Sequence, residues 1–425
     1  MITDPWWWET APRTAPTFET LPEACDVAVI GAGFTGMSAA LTLARAGRDV
    51  CVLEVQVPGF GGSTRNGGMI GSGHKVGYGE LSAKYGEHVA EEVLREGLRA
   101  LEFSTGFIKD ENIDCDYVNT GRFRTAWKLK NYEALAKEVE FLSKKIGVKA
   151  DMVPRSEQHR EVVTDSYHGG CIFHSHGGLN PAKFYDGIAE NALNAGARVF
   201  AKSPVISIQK ITNGFMVQTP KGKIKARDVI MATNGYTTNV APDLHRRVTP
   251  ISSYMIATEP LAKERVRSLI PGLKMIVETR SRTCYYRPSP DGERILLGGR
   301  AALRQINPQI SGEILRKLLV GLFPSLSDVT ISHSWQGTLA FSTDHLPHIG
   351  CDEEGIHYAM GYSGSGVAMA PYLGYRVANK VLGNAEGTTG FDVLEFQPVP
   401  FRTFLPLGLP FVEMWYRYKD FIEGR

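Results

Sequence analysis

Residues 25–54 read CDVAVIGAGFTGMSAALTLARAGRDVCVLE, and this stretch decides the fold. Residues 25–30 form an apolar, β-branched run of the kind found in buried parallel strands. Three glycines follow at positions 31, 33 and 36, and a helical pattern then continues to Ala46. A second short strand ends at Glu54, so strand, turn, helix and strand fit the roughly 30 residues of a βαβ unit.

The glycine pattern has a mechanical meaning for dinucleotide binding. Gly31 makes the tight turn, Gly33 lets the backbone approach a pyrophosphate, and Gly36 lets the helix pack on the strand. The helix N-terminus then presents unpaired N–H groups to the phosphates. An acid at the end of the second strand can hydrogen-bond ribose hydroxyls. The residues predicted to bind the cofactor here are Gly31, Ala32, Gly33, Phe34, Thr35, Gly36 and Glu54.

Two further glycine clusters favour FAD over NAD. One lies just after the second strand, where the order of the sheet should switch. The other opens a helix near the C-terminus, and its N–H groups suit the negative charge of a reduced flavin ring. The predicted cofactor residues of these clusters are Ser63, Thr64, Arg65, Asn66, Gly67 and Gly68, and Gly361, Tyr362, Ser363, Gly364 and Gly366.

Composition limits the class of protein. The chain has 425 residues, of which 43% are hydrophobic and 22% charged, as in an average globular protein. The net charge is only +2, which argues against nucleic acid as a partner. The six cysteines form no CxxC pair and the N-terminus carries no secretory signal, so we expect a cytoplasmic protein with reduced thiols. Residues 27–44 are uncharged, but their glycine pattern favours strand and helix over a membrane span.

The chain resembles the D-amino acid oxidase/sarcosine oxidase family of FAD enzymes. The stretches 27–33, 63–68, 177–181, 231–236, 337–350 and 361–366 carry the resemblance, in the order that the family has. It implies FAD, a two-domain fold and oxidation of a carbon–nitrogen bond. Residues 65–68, 257–261 and 335–340 are most similar to members that act on gamma-glutamylated amines. The resemblance adds five cofactor-binding residues, Val205, Thr233, Asn234, Gly235 and Gly337.

The expected fold is α/β, with two interleaved domains. A Rossmann-like, glutathione-reductase-type domain that binds FAD should comprise residues 20–75, 177–240 and 336–395. A mixed-sheet α+β substrate domain should comprise residues 76–176 and 241–335. We predict one helix over residues 79–110 and one helix in the segment 241–335. The apolar C-terminal tail, residues 396–425, is predicted to cover the domain, pair subunits or touch a membrane surface.

Departures from the family pattern bear on the substrate. Amino-acid oxidases of the family bind the substrate carboxylate through arginines, and Leu339 and Ser289 occupy the positions aligned with them. Arg287 or Arg300 would have to compensate. Sarcosine oxidases tether FAD through a cysteine at the position of Gly337, so noncovalent FAD is expected, with Cys284 on a different strand.

The candidate catalytic residues are His74, Tyr254, Arg287 and Leu339. Tyr285 and Tyr286 are interpreted as core residues. The group His168, Cys171, His174 and His176 lacks the spacing of a metal site, so a loop or hairpin is favoured and no metal is expected.

These observations predict an FAD-dependent enzyme that oxidises an amine, with or without a gamma-glutamyl group, to an imine that hydrolyses to an aldehyde. Oxygen or another acceptor would reoxidise the flavin. Three alternatives remain open: a flavin-binding electron-relay subunit of a larger assembly, an amino-acid oxidase or dehydrogenase of the same family, and an NAD-dependent dehydrogenase. The oligomeric state is left open by the sequence.

Overall fold

Two large β-sheets, each assembled from distant segments, organise the chain. In a computed structural model, residues 1–13, 17–280, 283–302 and 305–400 are described, together with residues 414, 415 and 418. The strands are β1 (Ala24–Ile30), β2 (Val50–Leu53), β3 (Met69–Ile70), β4 (Arg122–Thr125), β5 (Ala150–Val153), β6 (Gly170–Phe173), β7 (Gly177–Gly178), β8 (Arg198–Phe200), β9 (Ser207–Ile211), β10 (Gly214–Thr219), β11 (Gly222–Met231), β12 (Thr249–Thr258), β13 (Met275–Glu278), β14 (Cys284–Pro288), β15 (Ile295–Gly299), β16 (Ile331–Phe341), β17 (His348–Cys351) and β18 (His357–Met360). The α-helices are α1 (Phe34–Arg45), α2 (Tyr78–Tyr85), α3 (Glu87–Asp110), α4 (Leu129–Phe141), α5 (Pro181–Asn194), α6 (Pro242–His245), α7 (Lys263–Leu269), α8 (Pro308–Leu322) and α9 (Gly366–Leu382).

The first sheet has the strand order β17-β18-β11-β1-β2-β8, and β9 and β10 extend it as an antiparallel ribbon on β11. Strand β1 lies parallel to β11 on one side and to β2 on the other. Val27 and Val29 enter the core under α1, α5 and α9, whereas Ala28 and Ile30 enter the core on the opposite face. Burial on both faces explains why the run is apolar without alternation.

The second sheet has the order β16-β12-β15-β14-β13-β4-β6-β5. Its strand pairs are antiparallel except β13 with β4, which are parallel. One face packs on α7 and α8 in a second core. Residues of the other face line a cavity.

The expected α/β class with a Rossmann-like sheet and a second mixed sheet is confirmed. The segments that supply the two sheets alternate along the chain. Strand β16 crosses the predicted boundary at residue 336 and belongs entirely to the second sheet. The division into two domains stays a proposal. Most of the predicted tail, from residue 401, lies outside the described residues.

Local elements differ from the sequence prediction at two places. The stretch 79–110 forms two helices, because Gly86 takes a φ of 84° and ends α2 before α3 begins. The segment 241–335 contains α6 and α7 besides α8, and their short lengths gave little periodicity to detect. Within the part of the chain that the structure describes, no helix has the length and apolarity needed to cross a membrane.

Candidate functional site

The turn between β1 and α1 has the shape that a pyrophosphate requires. Gly31 has a φ of 100°, and a Cβ on Gly36 would lie 1.9 Å from the carbonyl oxygen of Gly31. A Cβ on Gly33 would lie 3.0 Å from Ser63 Oγ, which accepts a hydrogen bond from Phe34 N at 2.9 Å. Side chains at these glycines would fill the cradle at the start of α1, where N–H groups are available to an anion.

Glu54 is held against this turn. Its Oε2 accepts a hydrogen bond from Ala32 N at 2.8 Å, and its Oε1 accepts one from Gln56 N at 2.9 Å. Burial raises the pKa of the Glu54 carboxyl, and the backbone N–H groups act in the opposite direction. The structure therefore brings the predicted acid and the glycine turn together.

The loop of residues 62–68, which we call the flavin loop, is closed by the side chain of Asn66. Asn66 Nδ2 donates to the carbonyl oxygens of Gly62 and Ser63 at 3.1 and 2.8 Å, and Oδ1 accepts from Gly68 N at 2.8 Å. Gly68 has a φ of 62°, and a Cβ there would lie 2.1 Å from the carbonyl oxygen of Leu179. Asn66 and Gly68 therefore fix the shape of the loop.

Three tryptophans hold the flavin loop from outside, and the sequence analysis missed them. Trp7 Nε1 donates to Asn66 O at 2.8 Å, and Trp335 Nε1 donates to Arg65 O at 2.9 Å. Trp8 Nε1 donates to Thr64 Oγ1 at 2.9 Å. The signal was present, since residues 6–8 are three adjacent tryptophans and such large apolar side chains are usually well buried.

Arg65 is fixed by aromatic rings. Its guanidinium carbon lies 4.5 Å from the ring centroid of Trp8 and 4.4 Å from that of Phe60. It also donates to the carbonyl oxygens of Phe60 and Gln336 at 2.7 and 3.2 Å. Burial lowers the pKa of Arg65, but the guanidinium stays charged at neutral pH.

The C-terminal glycine cluster meets the first glycine turn. The hydroxyl groups of Tyr362 and Thr35 are hydrogen-bonded at 2.6 Å. Asn234 Oδ1 accepts from Gly361 N at 3.0 Å. The residues just before α9 border the cavity, namely Ser363, Gly364 and Ser365. The helix thus begins at the cavity wall.

Three other residues predicted to bind the cofactor lie around these loops. Thr233 Cγ2 is 3.4 Å from the Cβ position of Gly31, and a Cβ on Gly235 would lie 2.8 Å from the carbonyl oxygen of Leu339. Val205 packs against the core of the first sheet. A direct role of these residues in cofactor binding stays a prediction.

A cavity of about 340 Å³ lies between the flavin loop, the start of α9 and the second sheet. Two candidate catalytic residues line it, His74 and Leu339. Gly337 also lines it, and none of the described residues lining the cavity is a cysteine. This arrangement agrees with the expectation that FAD is not tethered, which stays a prediction.

The two other candidate catalytic residues do not reach the cavity. Tyr254 is buried in the core on the far face of the second sheet, where its hydroxyl accepts from Ile306 N at 2.9 Å. Arg287 is buried, and its Nη1 donates to the carbonyl oxygens of Gly68 and Leu179 at 2.7 and 2.9 Å. Neither side chain lines the cavity, because strand pleating and burial turn both to structural contacts, so the structure gives their catalytic assignment no support.

Tyr285 faces the cavity instead. It neighbours Tyr286 on β14, and successive side chains of a strand point to opposite faces. Tyr286 therefore enters the second core, whereas Tyr285 lines the cavity, as Ser253 and Arg300 do. The interpretation of Tyr285 as a core residue is wrong.

Ser289 is uninformative about the substrate. It lies in the turn between β14 and β15, where its hydroxyl pairs with Asp291 and its N–H donates to Arg294 O at 2.9 Å. It does not line the cavity, so the inference drawn from it is wrong. Leu339 does line the cavity, so the inference from this residue that the substrate lacks a carboxylate on the reacting carbon can still be made.

His74 is a poor proton acceptor. Its Nε2 is 2.8 Å from the carbonyl oxygen of Val93, and burial lowers its pKa to about 4. The imidazole is therefore neutral at pH 7, with a proton on Nε2 shared with that carbonyl.

The histidines near β6 have separate partners. His174 Nε2 lies 2.7 Å from Asp151 Oδ2, and His176 Nε2 lies 2.9 Å from Ser72 Oγ. Cys171 is buried within β6. Among the described residues, no group of three or more His, Cys, Asp or Glu side chains is arranged to hold a metal ion.

The residues present fit FAD. The glycine cradle and Glu54 suit the pyrophosphate and ribose of the dinucleotide, and the flavin loop with the start of α9 suits the ring. A profile of the family described as "DAO: FAD dependent oxidoreductase" matches residues 26–380.

The similarity of this chain to known proteins also supports FAD binding. The chain is 34% identical to gamma-glutamylputrescine oxidoreductase of Escherichia coli (strain K12), over 97% of this chain and 96% of that protein. In fold it is similar to glycine oxidase from Geobacillus kaustophilus, with a TM-score of 0.74, 20% identity and coverage of 89% and 99% of the two chains. L-proline dehydrogenase from P. horikoshii gives a TM-score of 0.71 at 20% identity, covering 91% and 99%. The chain therefore belongs to the DAO family of FAD-dependent oxidoreductases.

Proposed function

We propose that the protein oxidises the carbon–nitrogen bond of a small-molecule amine that lacks a carboxylate on the reacting carbon. FAD supplies the hydride acceptor, and oxygen or another acceptor then removes the electrons. The substrate loses a hydride from its α-carbon and a proton from nitrogen, which gives an imine. Water converts the imine to an aldehyde and releases ammonia or a smaller amine.

The observation that carries this proposal is the apolar patch beside the flavin loop. Leu339 packs with Ile251 and Phe341, and all three line the cavity. An alkyl chain can pack on this patch, whereas a buried carboxylate without a partner would cost several kcal/mol. Arg300 lies near the patch, with its guanidinium carbon 5.3 Å from the ring centroid of Phe341, and is the nearby cation that could pair with a substrate carboxylate.

The cavity wall offers no free carboxylate to accept a proton. Among the described lining residues, Glu138 pairs with Arg124 at 2.8 Å, and Glu278 pairs with Arg280. Burial raises the pKa of Tyr285, so its hydroxyl stays protonated and can donate a hydrogen bond. We therefore propose that the amine enters as the free base, and that this chain contributes orientation and exclusion of water.

The similarity to gamma-glutamylputrescine oxidoreductase supports a gamma-glutamylated amine as one candidate substrate. We also propose that the protein works in the cytoplasm. Its six cysteines are free, including four that are buried, as expected where thiols stay reduced.

Anaerobic reduction of the bound flavin tests the proposal. Purified enzyme is mixed with putrescine, isopropylamine and their gamma-glutamyl derivatives, and separately with glycine, sarcosine and D-alanine, while bleaching of the flavin band is followed. The amines should bleach the flavin faster. If an amino acid is faster with the wild-type enzyme and loses that advantage in Arg300→Gln, the substrate carries its carboxylate on the reacting carbon and the proposal fails.

A matched pair of variants tests the apolar patch. Leu339→Arg should slow reduction by amines, because it places a charge where an alkyl chain packs. Leu339→Met keeps volume and polarity, so its effect should be small. Equal rates in the two variants would contradict the role of the patch.

A further inference from the structure

One wall of the cavity is cationic. Arg122 and Arg124 stand two residues apart on β4, and both line the cavity. Lys75, after β3, and Arg300, after β15, line it as well. These four cations lie on one wall, and Arg65 lines the cavity as well. Of the two acidic lining residues, Glu138 is paired with Arg124 of this wall and Glu278 with Arg280.

Arg122 is the most unusual of these cations. Among the described residues, no hydrogen-bond acceptor or carboxylate pairs with its guanidinium, and its buried Nε has no partner. Burial and then the neighbouring Arg124 lower its pKa to about 10, so it is charged at neutral pH. Arg122 is partly buried, and a charge withdrawn from water without a counter-ion is costly, so a ligand that pairs with it would be favoured.

His176 lies beside Arg122 and does not neutralise it. Burial and then Arg122 lower the pKa of His176 well below its usual value, so the ring is neutral. Its Nε2 is occupied by Ser72, and its buried Nδ1 has no partner among the described residues. The region around Arg122 therefore offers hydrogen-bonding groups and positive charge, without an anion.

Lys75 adds to the positive potential. Its side chain is exposed at the rim of the cavity. Desolvation, then Arg300 and Arg124, lower its pKa to about 8, and its charge helps to lower the pKa of His345. The like charges of Arg300 and Arg124 thus disfavour the charged form of Lys75. An anion bound among them would relieve this repulsion.

Arg122 lies far from the apolar patch along the sheet, whereas Arg300, on the same wall, lies beside Phe341 of the patch. Leu339 is on β16 and Arg122 on β4, with β12, β15, β14 and β13 between them. The two strands are five positions apart in this curved sheet, and both side chains line the same cavity. A group held by Arg122 is therefore remote from a reacting carbon that packs on Leu339.

We propose that Arg122, supported by Arg124 and Lys75, binds a carboxylate at the far end of an extended amine substrate. The inference rests on the proposed function and deepens it, because it names the second recognition group of the substrate. The planar guanidinium presents paired N–H donors that match the two oxygens of a carboxylate, and an ion pair in a partly dry cavity is stronger than one at the surface.

Matched substrates test the proposal. A gamma-glutamyl amine is compared with the same compound in which the remote carboxylate is a primary amide, and kcat/KM is obtained from flavin reduction. We expect the wild-type enzyme to prefer the acid by at least about tenfold, in line with a charge-assisted bond. Equal kcat/KM for the two would overturn the inference and leave the proposed function standing. If neither compound reduces the flavin but an amino acid does, the proposed function itself fails.

Substitutions of Arg122 test whether this residue causes the preference for the acid over the amide. Arg122→Gln should abolish most of the acid-over-amide preference, and Arg122→Lys should restore part of it, since the charge returns without the paired donors. Arg267→Gln, on the exposed side of α7, is the matched control and should retain the wild-type ratio. A ratio in Arg122→Gln equal to that of wild type would overturn the assignment.

A binding measurement removes dependence on turnover. The analogue of the gamma-glutamyl amine in which a methyl ether replaces the reacting amine cannot form an imine at the reacting carbon, and it is titrated into the holoenzyme by calorimetry. Its Kd should rise about tenfold or more in Arg122→Gln. An unchanged Kd in a variant with wild-type flavin content would overturn the inference.

Discussion

The N-terminal tryptophans should set the affinity for FAD, and Trp7→Phe is the sharpest perturbation. The change keeps an aromatic ring and removes the indole N–H that donates to Asn66 O at 2.8 Å. Asn66 closes the flavin loop through three further hydrogen bonds, so its backbone position determines the shape of the loop. Trp7 itself is fully buried.

The expected magnitude follows from the carbonyl that is left unpaired. A buried acceptor that loses its donor costs about 1–3 kcal/mol. A free-energy difference of about 1.4 kcal/mol corresponds to a tenfold change in Kd. If the whole cost destabilises the closed loop that FAD requires, the Kd for FAD should rise by about 5-fold to about 140-fold.

Titration of the apoprotein with FAD, followed by flavin fluorescence, measures this Kd. Trp6→Phe is the matched control, because Trp6 is also buried, with 5% of its surface exposed, and among the described residues its indole makes no hydrogen bond to the flavin loop. The reasoning is refuted if Trp7→Phe and Trp6→Phe bind FAD equally well and the melting temperatures of the two apoproteins agree.

Three other predictions concern single groups. Glu54→Gln should weaken FAD binding by about tenfold or more, as expected for loss of a charge-assisted hydrogen bond, and retention of FAD through dialysis as in wild type would exclude the ribose assignment. Acid precipitation should leave yellow supernatant, because no cysteine among the described residues lines the cavity; a peptide carrying the mass of flavin would show the opposite. Lys75 is charged below its pKa of about 8 and loses its charge as pH rises, so the acid-over-amide preference should fall above pH 8. Lys75→Gln should flatten that pH profile, and an unchanged profile would remove Lys75 from the carboxylate site.

The elements that the sequence predicted well depend on short-range rules. The strand–turn–helix unit at Gly31 was predictable because only glycine permits its turn and its close helix–strand contact. Glu54 follows from the length of that unit. The flavin loop was located for the same reason, although the closing role of Asn66 required coordinates.

The errors concern side-chain direction. Tyr254 and Tyr285 are chemically alike, and the register of β12 and β14 alone decides that the second faces the cavity. A shift of one residue exchanges the faces of a strand, and no local pattern reports the register of long-range pairing. Arg287 was misassigned for a related reason, because the carbonyl oxygens that bind it come from segments more than 100 residues away in sequence.

The alternation of segments between the two sheets has a consequence for protein synthesis. Strand β1 leaves the ribosome early, but its neighbour β11 begins only at residue 222, and helix α9, which packs on α1, ends at residue 382. A contiguous domain can fold as soon as it has been made, whereas in this nascent chain β1 lacks its neighbour β11 until about half of the chain has been made. No single division of the chain separates the two sheets, each complete, into two fragments. The segments of the two sheets must therefore be expressed and folded together as one chain.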